Sequence, residues 1–262
     1  MNSWSRTRKR IILGLVILAV MVLVGVPFFF LIYQAPTCSD GAKNGDETGV
    51  DCGGSCQRLC NAESLPLILK GDPRVLTIAS STYEVVALIE NPNQSAEIYK
   101  AEYSLKLYGV ESAIPVKVIE GVTFIPRGAN FALFEGPFTL EAGLVPARAT
   151  LEWQKSSLVW RKSVSPEPTL KVKDETLAKE EDAPRLEAVV ENQSLESISN
   201  IDLIALITDA EGNIFAASKT YIDQLEPNQA MPILFSWPRP FKEKAMGIEI
   251  IKRILPDSTF IR

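Results

Sequence analysis

Residues 11–32, IILGLVILAVMVLVGVPFFFLI, carry no charge. As a helix they would reach about 33 Å, the thickness of a bilayer's hydrocarbon core. A small water-soluble domain cannot absorb such a run, so this feature constrains the chain more than any other. Pro27 sits in its last third, where a proline can kink a helix without ending it. Trp4 and Tyr33 flank the run, as suits aromatic residues at a membrane interface. A cleaved export signal would have a shorter apolar core, about 7–15 residues, and a small-x-small site. FFFLIYQAPTC offers no such site, and Pro36 and Thr37 are not the small pair expected before a lipidated Cys38. The expectation is an uncleaved transmembrane helix over residues 11–33. Arg6, Arg8, Lys9 and Arg10 all lie on its N-terminal flank. The positive-inside rule then keeps residues 1–10 in the cytoplasm as a basic tail and exports everything after Tyr33.

Charge separates the chain the same way. Residues 1–32 hold four basic side chains and no acid, leaving 23 basic against 32 acidic residues in the remainder. An acidic body argues against nucleic acid as a partner, because phosphate binding needs a concentrated positive patch. The chain has no histidine. That removes Ser-His-Asp and Cys-His catalysis, histidine-ligated metals and histidine pH switches.

Export changes how the four cysteines read. Cys38, Cys52, Cys56 and Cys60 are separated by thirteen, three and three residues, without the paired C-x2-C knuckles or histidines of a zinc site. In an oxidising compartment an even count reads as two disulfides, in any of three pairings. Between them, DGAKNGDETGVD sets Asp40, Asn44, Asp46, Glu47 and Asp51 among glycines. Calcium takes several oxygen ligands from a loop able to turn sharply, so Asp40, Asn44, Asp46 and Asp51 are candidate calcium ligands. The register departs from a calcium-binding EF-hand: position three is Ala42, the twelfth is Asp51 rather than Glu, and no flanking helices are evident. The competing reading is a set of solvated Gly/Asn/Asp turns braced by the disulfides.

These residues resemble a short motif of exported proteins, C-x-D/N-G-x-x-N/D-G-x-E-T-x-x-D-C-G-G-x-C-x-x-x-C. It is matched by Cys38, Asp40, Gly41, Asn44, Gly45, Glu47, Thr48, Asp51, Cys52, Gly53, Gly54, Cys56 and Cys60. The resemblance implies an exported location and no particular activity.

The remaining two hundred residues read as strands, and they read twice. TYEVVALIEN and RLEAVVEN end alike, followed by the polar turns NPNQSAE and NQSLES. Next come alternating strands, with Ala101, Tyr103, Leu105 and Leu107 on one face of the first and Ile201, Leu203, Ala205 and Ile207 on one face of the second. Period-two alternation predicts one buried face and one wet face in each. TFIPRGANFALFEGPF then answers TYIDQLEPNQAMPILFSWPRPF, and ATLEWQ answers MGIEII. Five correspondences in one order, offset by roughly 100 residues, point to duplication. About seven short strands per unit is the pattern of a β-sandwich. SPEP, Ser165–Pro168, marks the boundary between units. DETLAKEEDAP reads as a solvated loop or a single helical turn. Trp153, Trp160 and Trp237 read as core or strand-face residues.

Through ALIENPNQSAEIYKAEYSLKLYG and the later IPRG, the first unit resembles the Ig-like sandwich of late-embryogenesis-abundant proteins. The second, through Val190, Asn192, LITDAEGN and LEPNQ, is similar to the Ig-like FxLYD domains of exported bacterial proteins. Asn228 stands where that family has glycine, and Asn tolerates the same left-handed turn. The triplets Asn93–Ser95 and Asn192–Ser194 satisfy the glycosylation sequon; placed at one point of each repeat, they read more simply as turn chemistry.

The expected fold is all-β: two tandem Ig-like β-sandwich domains, residues 63–166 and 167–262, after the N-terminal transmembrane helix and a cysteine-rich disulfide segment at 34–62. The expected function is non-catalytic binding or scaffolding in the cell envelope, with a protein partner, by a single-pass protein held in the membrane through residues 11–33. A calcium-dependent adhesion or assembly protein is the first alternative. A carboxylate hydrolase using acids such as Glu135 or Asp209 is the second, although no acid/base pair stands out.

Overall fold

A computed structural model describes residues 3–32, 36–163 and 168–256. Tyr33 and most of the expected boundary at Ser165–Pro168 lie outside the described residues. The chain divides into two compact units, Met1–Cys56 and Gln57–Arg262.

The first unit opens with helix α1, Ser3–Ile32, which runs through Pro27. Its segment Thr7–Phe29 is long and apolar enough to cross a membrane, and none of it is buried. The cysteines form two disulfides, Cys38–Cys56 and Cys52–Cys60. The first closes a loop of 18 residues, and Cys56 is almost wholly buried.

The second unit's described strands all pair antiparallel, and one 3-10 turn, Lys155–Ser157, interrupts them. Its first half comprises β1 (Ile68–Leu69), β2 (Arg74–Ala79), β3 (Thr82–Glu90), β4 (Ala96–Tyr108), β5 (Pro115–Ile125), β6 (Asn130–Thr139), β7 (Arg148–Trp153) and β8 (Arg161–Lys162). The second half comprises β9 (Leu170–Ala178), β10 (Arg185–Asn192), β11 (Ile198–Thr208), β12 (Ile214–Leu225), β13 (Ala230–Ser236) and β14 (Gly247–Ile254). One sheet runs β2-β3-β6, with β1 also against β3; a second runs β5-β4-β7, with β8 against the start of β4. The second half gives β9-β10-β13 and β12-β11-β14, the same strand order. Each half is a sandwich closed over its own core. Val85, Ile89, Leu105, Ile125, Phe131 and Trp160 fill the first; Leu186, Val190, Leu203, Ile207, Leu225 and Phe235 fill the second. Gln57–Leu59 belong to the first sandwich: Lys162 N donates to Gln57 O at 2.7 Å and Leu59 N to Trp160 O at 3.0 Å.

Two sequence expectations need correction. β4 alternates as expected, with Glu102 exposed opposite its buried face. β11 does not: Ile201 to Ile207 are all buried. Its second face is not wet because Ile204 and Leu206 pack with Ala217 and Ile251 against Leu76, Val86 and Ala132. The outer face of sheet β12-β11-β14 thus covers the outer face of β2-β3-β6, and the two sandwiches share a third apolar seam. The acidic DETLA segment is neither loop nor helical turn but the end of β9. Asp174, at φ 57, bulges the strand and lets pairing with β10 resume.

Candidate functional site

The loop of candidate calcium ligands spends its oxygens on its own amides. Asp40 accepts from Thr37 N, Ala42 N and the Asn44 side-chain amide at 3.0, 3.0 and 2.8 Å. These bonds, led by that from Asn44, hold its carboxyl below the ordinary range. Asp51 accepts from Gly41 N through both oxygens at 3.0 and 3.1 Å, and Asp46 accepts from Ser55 Oγ at 2.7 Å. Asn44 Oδ1 is buried and accepts from no donor among the described residues. Asp40 and Asn44 are therefore in contact, while Asp46 and Asp51 bond elsewhere in the loop. Among the described residues the only group of three acid or sulfur ligands within 4.8 Å is Cys38, Glu47 and Cys56, whose sulfurs are already joined.

The two sequons are not equivalent positions. Asn192, fully buried, donates to Glu196 O, Leu225 O and Glu226 O and accepts from Ser194 N. Its counterpart is Asn91, which donates to Ala96 O and Pro126 O and accepts from Asn93 N. Asn93 lies two residues further on, with its amide bonded to Leu65 O and Asn91 Oδ1. Both sequon amides face inward, which supports the turn reading. The turns they clamp pass through Gly128 at φ 50 and Asn228 at φ 58, so Asn does take the left-handed position.

Polar groups tie the sandwiches together beside the apolar seam. Arg253 on β14 donates to Thr123 Oγ1 at 2.9 Å and Phe124 O at 3.2 Å, both on β5. Its other terminal nitrogen meets Asp202 of β11 at 2.9 Å, and Lys219 Nζ reaches the same carboxylate at 3.2 Å. Asp202 is 1% exposed, so this is a buried ion group that sets two cations on one carboxylate; among the described residues Arg253 Nε and Asp202 Oδ1 make no hydrogen bond.

Where the seam opens, a cleft of about 490 Å³ lies between the sandwiches. One wall is β2, from Arg74 to Ile78, with Glu84 of β3; the other is Asp209, the start of β12 and the segment Trp237–Glu243. That second wall follows from its sequence. Pro238 and Pro240 cannot supply ladder amides, so β13 stops at Ser236 and the chain turns away. Trp237 anchors it through Nε1 to Ala217 O at 2.8 Å, and Phe241 N donates to Glu180 O at 2.9 Å. The Phe241 ring stands edge-on to Trp237 and Phe215, each centroid 5.2 Å away.

The acids of the cleft differ. Burial raises Asp209, but bonds from the Asn213 side chain, Asn213 N and Glu211 N outweigh it and hold the carboxyl below its ordinary range. Asp209 shapes a turn. Glu84 has no hydrogen-bond or ion partner among the described residues, and burial pushes it up to about 7. The other acid considered for hydrolysis, Glu135, accepts from the Tyr103 hydroxyl and is not part of the cleft. The sequence reading passed over Glu84 because it sits mid-strand like any outward-facing acid.

No protein-family model matches the chain, and no curated protein matches it.

Proposed function

We propose that this chain is a single-pass, membrane-anchored binding protein. Its two duplicated, Ig-like sandwiches work outside the cytoplasm, in the cell envelope, and take a partner at the cleft between them. The observation that carries this reading is an apolar helix, none of it buried, followed in sequence by two disulfides. Such a helix needs lipid around it, and paired thiols belong to an oxidising compartment. The matching strand orders support duplication. The basic flank supports an inward N-terminus.

Protease treatment of intact native cells, with the outer layers opened, checks the orientation. Digestion of the sandwiches, and sulfurs that resist maleimide until reduced, are the expected results. Alkylation of all four sulfurs in unreduced protein would overturn the reading. A calcium-dependent joint is a second reading, favoured by Asn44 Oδ1, buried beside Asp40 with no donor among the described residues. Calorimetry of the full chain with millimolar calcium decides it: a heat lost in Asp40→Ala supports the joint, and a flat trace removes it.

A further inference from the structure

We propose that the cleft between the sandwiches recognises an organic cation, an ammonium or guanidinium on an apolar stem, with Glu84 as its counter-ion and the Phe215, Trp237 and Phe241 rings beside the stem. This deepens, and rests on, the binding role proposed for the cleft.

Glu84 is the reason. It comes from β3, and its backbone and stem pass close to Gly136 of β6. A Cβ at Gly136 would come within 2.9 Å of Glu84 Cγ and 3.0 Å of Tyr83 O. Glycine at that point leaves room for the acid's stem on the cleft wall. The side chain is half-buried, which raises its carboxyl, and no cation lies within ion-pair reach of it among the described residues. Arg74, Arg239 and Lys242 line the same cleft but are exposed. Arg74 is already bonded to Asn213 Oδ1. Asp209 is held by its own turn. Glu84 is thus a half-buried acid of the cleft with no partner among the described residues.

The guest's charge follows from this. A neutral apolar guest would dry the carboxyl further and leave it unpaired. An anion would meet it directly, while the cations available to that anion sit exposed, where salt screens them. A cation restores the missing partner, favours the ionised carboxyl and can lie against aromatic faces. The volume suits a small amine or one basic side chain of a partner, and not a folded element.

Calorimetry on the full chain in lipid nanodiscs tests this. The probes are n-butylguanidinium, n-butylammonium, a short neutral peptide with one central Arg, and n-butanol and butyrate as controls. The two small cations and the peptide should bind, and Glu84→Gln should weaken them at least about tenfold, the scale of one charge-assisted contact. Phe241→Ala should weaken them as well, with Tm reported for each variant so that unfolding is not mistaken for lost binding. A peptide that binds far more tightly than n-butylguanidinium identifies a protein's basic side chain as the source; equal affinities identify a small molecule. If the controls bind and Glu84→Gln changes nothing, the cleft binds but the cation is wrong. If no probe binds at tens of millimolar, the cleft's binding role falls with it.

Discussion

Glu84 works against its own fold at neutral pH. Its carboxyl titrates near 7 in the folded chain against an ordinary 4.5, so the folded state holds the proton more tightly than the unfolded state. The stabilising contribution is full below about 4.5 and is lost as pH rises through 7. The shift alone would amount to about 3 kcal/mol, and residual solvent access reduces that to about 1–2 kcal/mol. Glu84→Gln should therefore be more stable than the parent by that amount at pH 8 and indistinguishable at pH 4, read from urea unfolding at both. Asn192 makes the opposite case. Its amide satisfies three carbonyls inside the second sandwich, so Asn192→Ala should cost about 2–4 kcal/mol in a thermal melt. Because the Asn93 and Asn192 amides are committed inward, mass spectrometry after expression in a glycosylating host should find both unmodified. Sequence matching had paired the two NQS triplets; hydrogen bonding pairs Asn192 with Asn91 instead. The shared endings ALIEN and AVVEN already held that register.

Among elements, the strands were legible and their neighbours were not. β4 writes its one-sided burial as Ala101, Tyr103, Leu105 and Leu107 separated by Glu102, Ser104 and Lys106. β11 writes something else, an unbroken apolar stretch from Leu203 to Ile207, which is the signature of a strand covered on both faces. Val85-Val86-Ala87 in β3 is the same signal from the other side of the seam. The pattern was in the sequence, but which sheet covers which depends on contacts more than a hundred residues apart. The cysteine pairing was likewise invisible, since spacing permits three connectivities. So was Arg253, an ordinary basic residue near the end of a late strand until β5 and β11 close around it. Arg253→Ala removes a buried cation from Asp202 and leaves Thr123 and Phe124 O without their donor. It should cost about 3–5 kcal/mol by chemical denaturation. Hydrogen exchange should rise in β14 and the end of β5 first, because those are the elements it joins.

At the scale of the second unit, the cleft exists only because two sandwiches share a seam. Ile204, Leu206, Ala217 and Ile251 face Leu76, Val86 and Ala132 there; Leu76 and Ala217 also line the cleft, whereas Ile204, Leu206 and Ile251 do not. A change at one of those three tests the assembly without touching the cleft wall. Leu206 is almost wholly buried in the seam and does not line the cleft. Leu206→Asp puts an unpaired charge between the sheets, and the cheapest relief is for the sheets to part, since each sandwich keeps its own core. The parent chain should therefore lose its β-structure in one calorimetric transition, and Leu206→Asp in two. The variant should also fail to bind n-butylguanidinium at temperatures where both sandwiches are folded. A single transition at lower Tm with binding retained would mean that the seam is not what holds the cleft together.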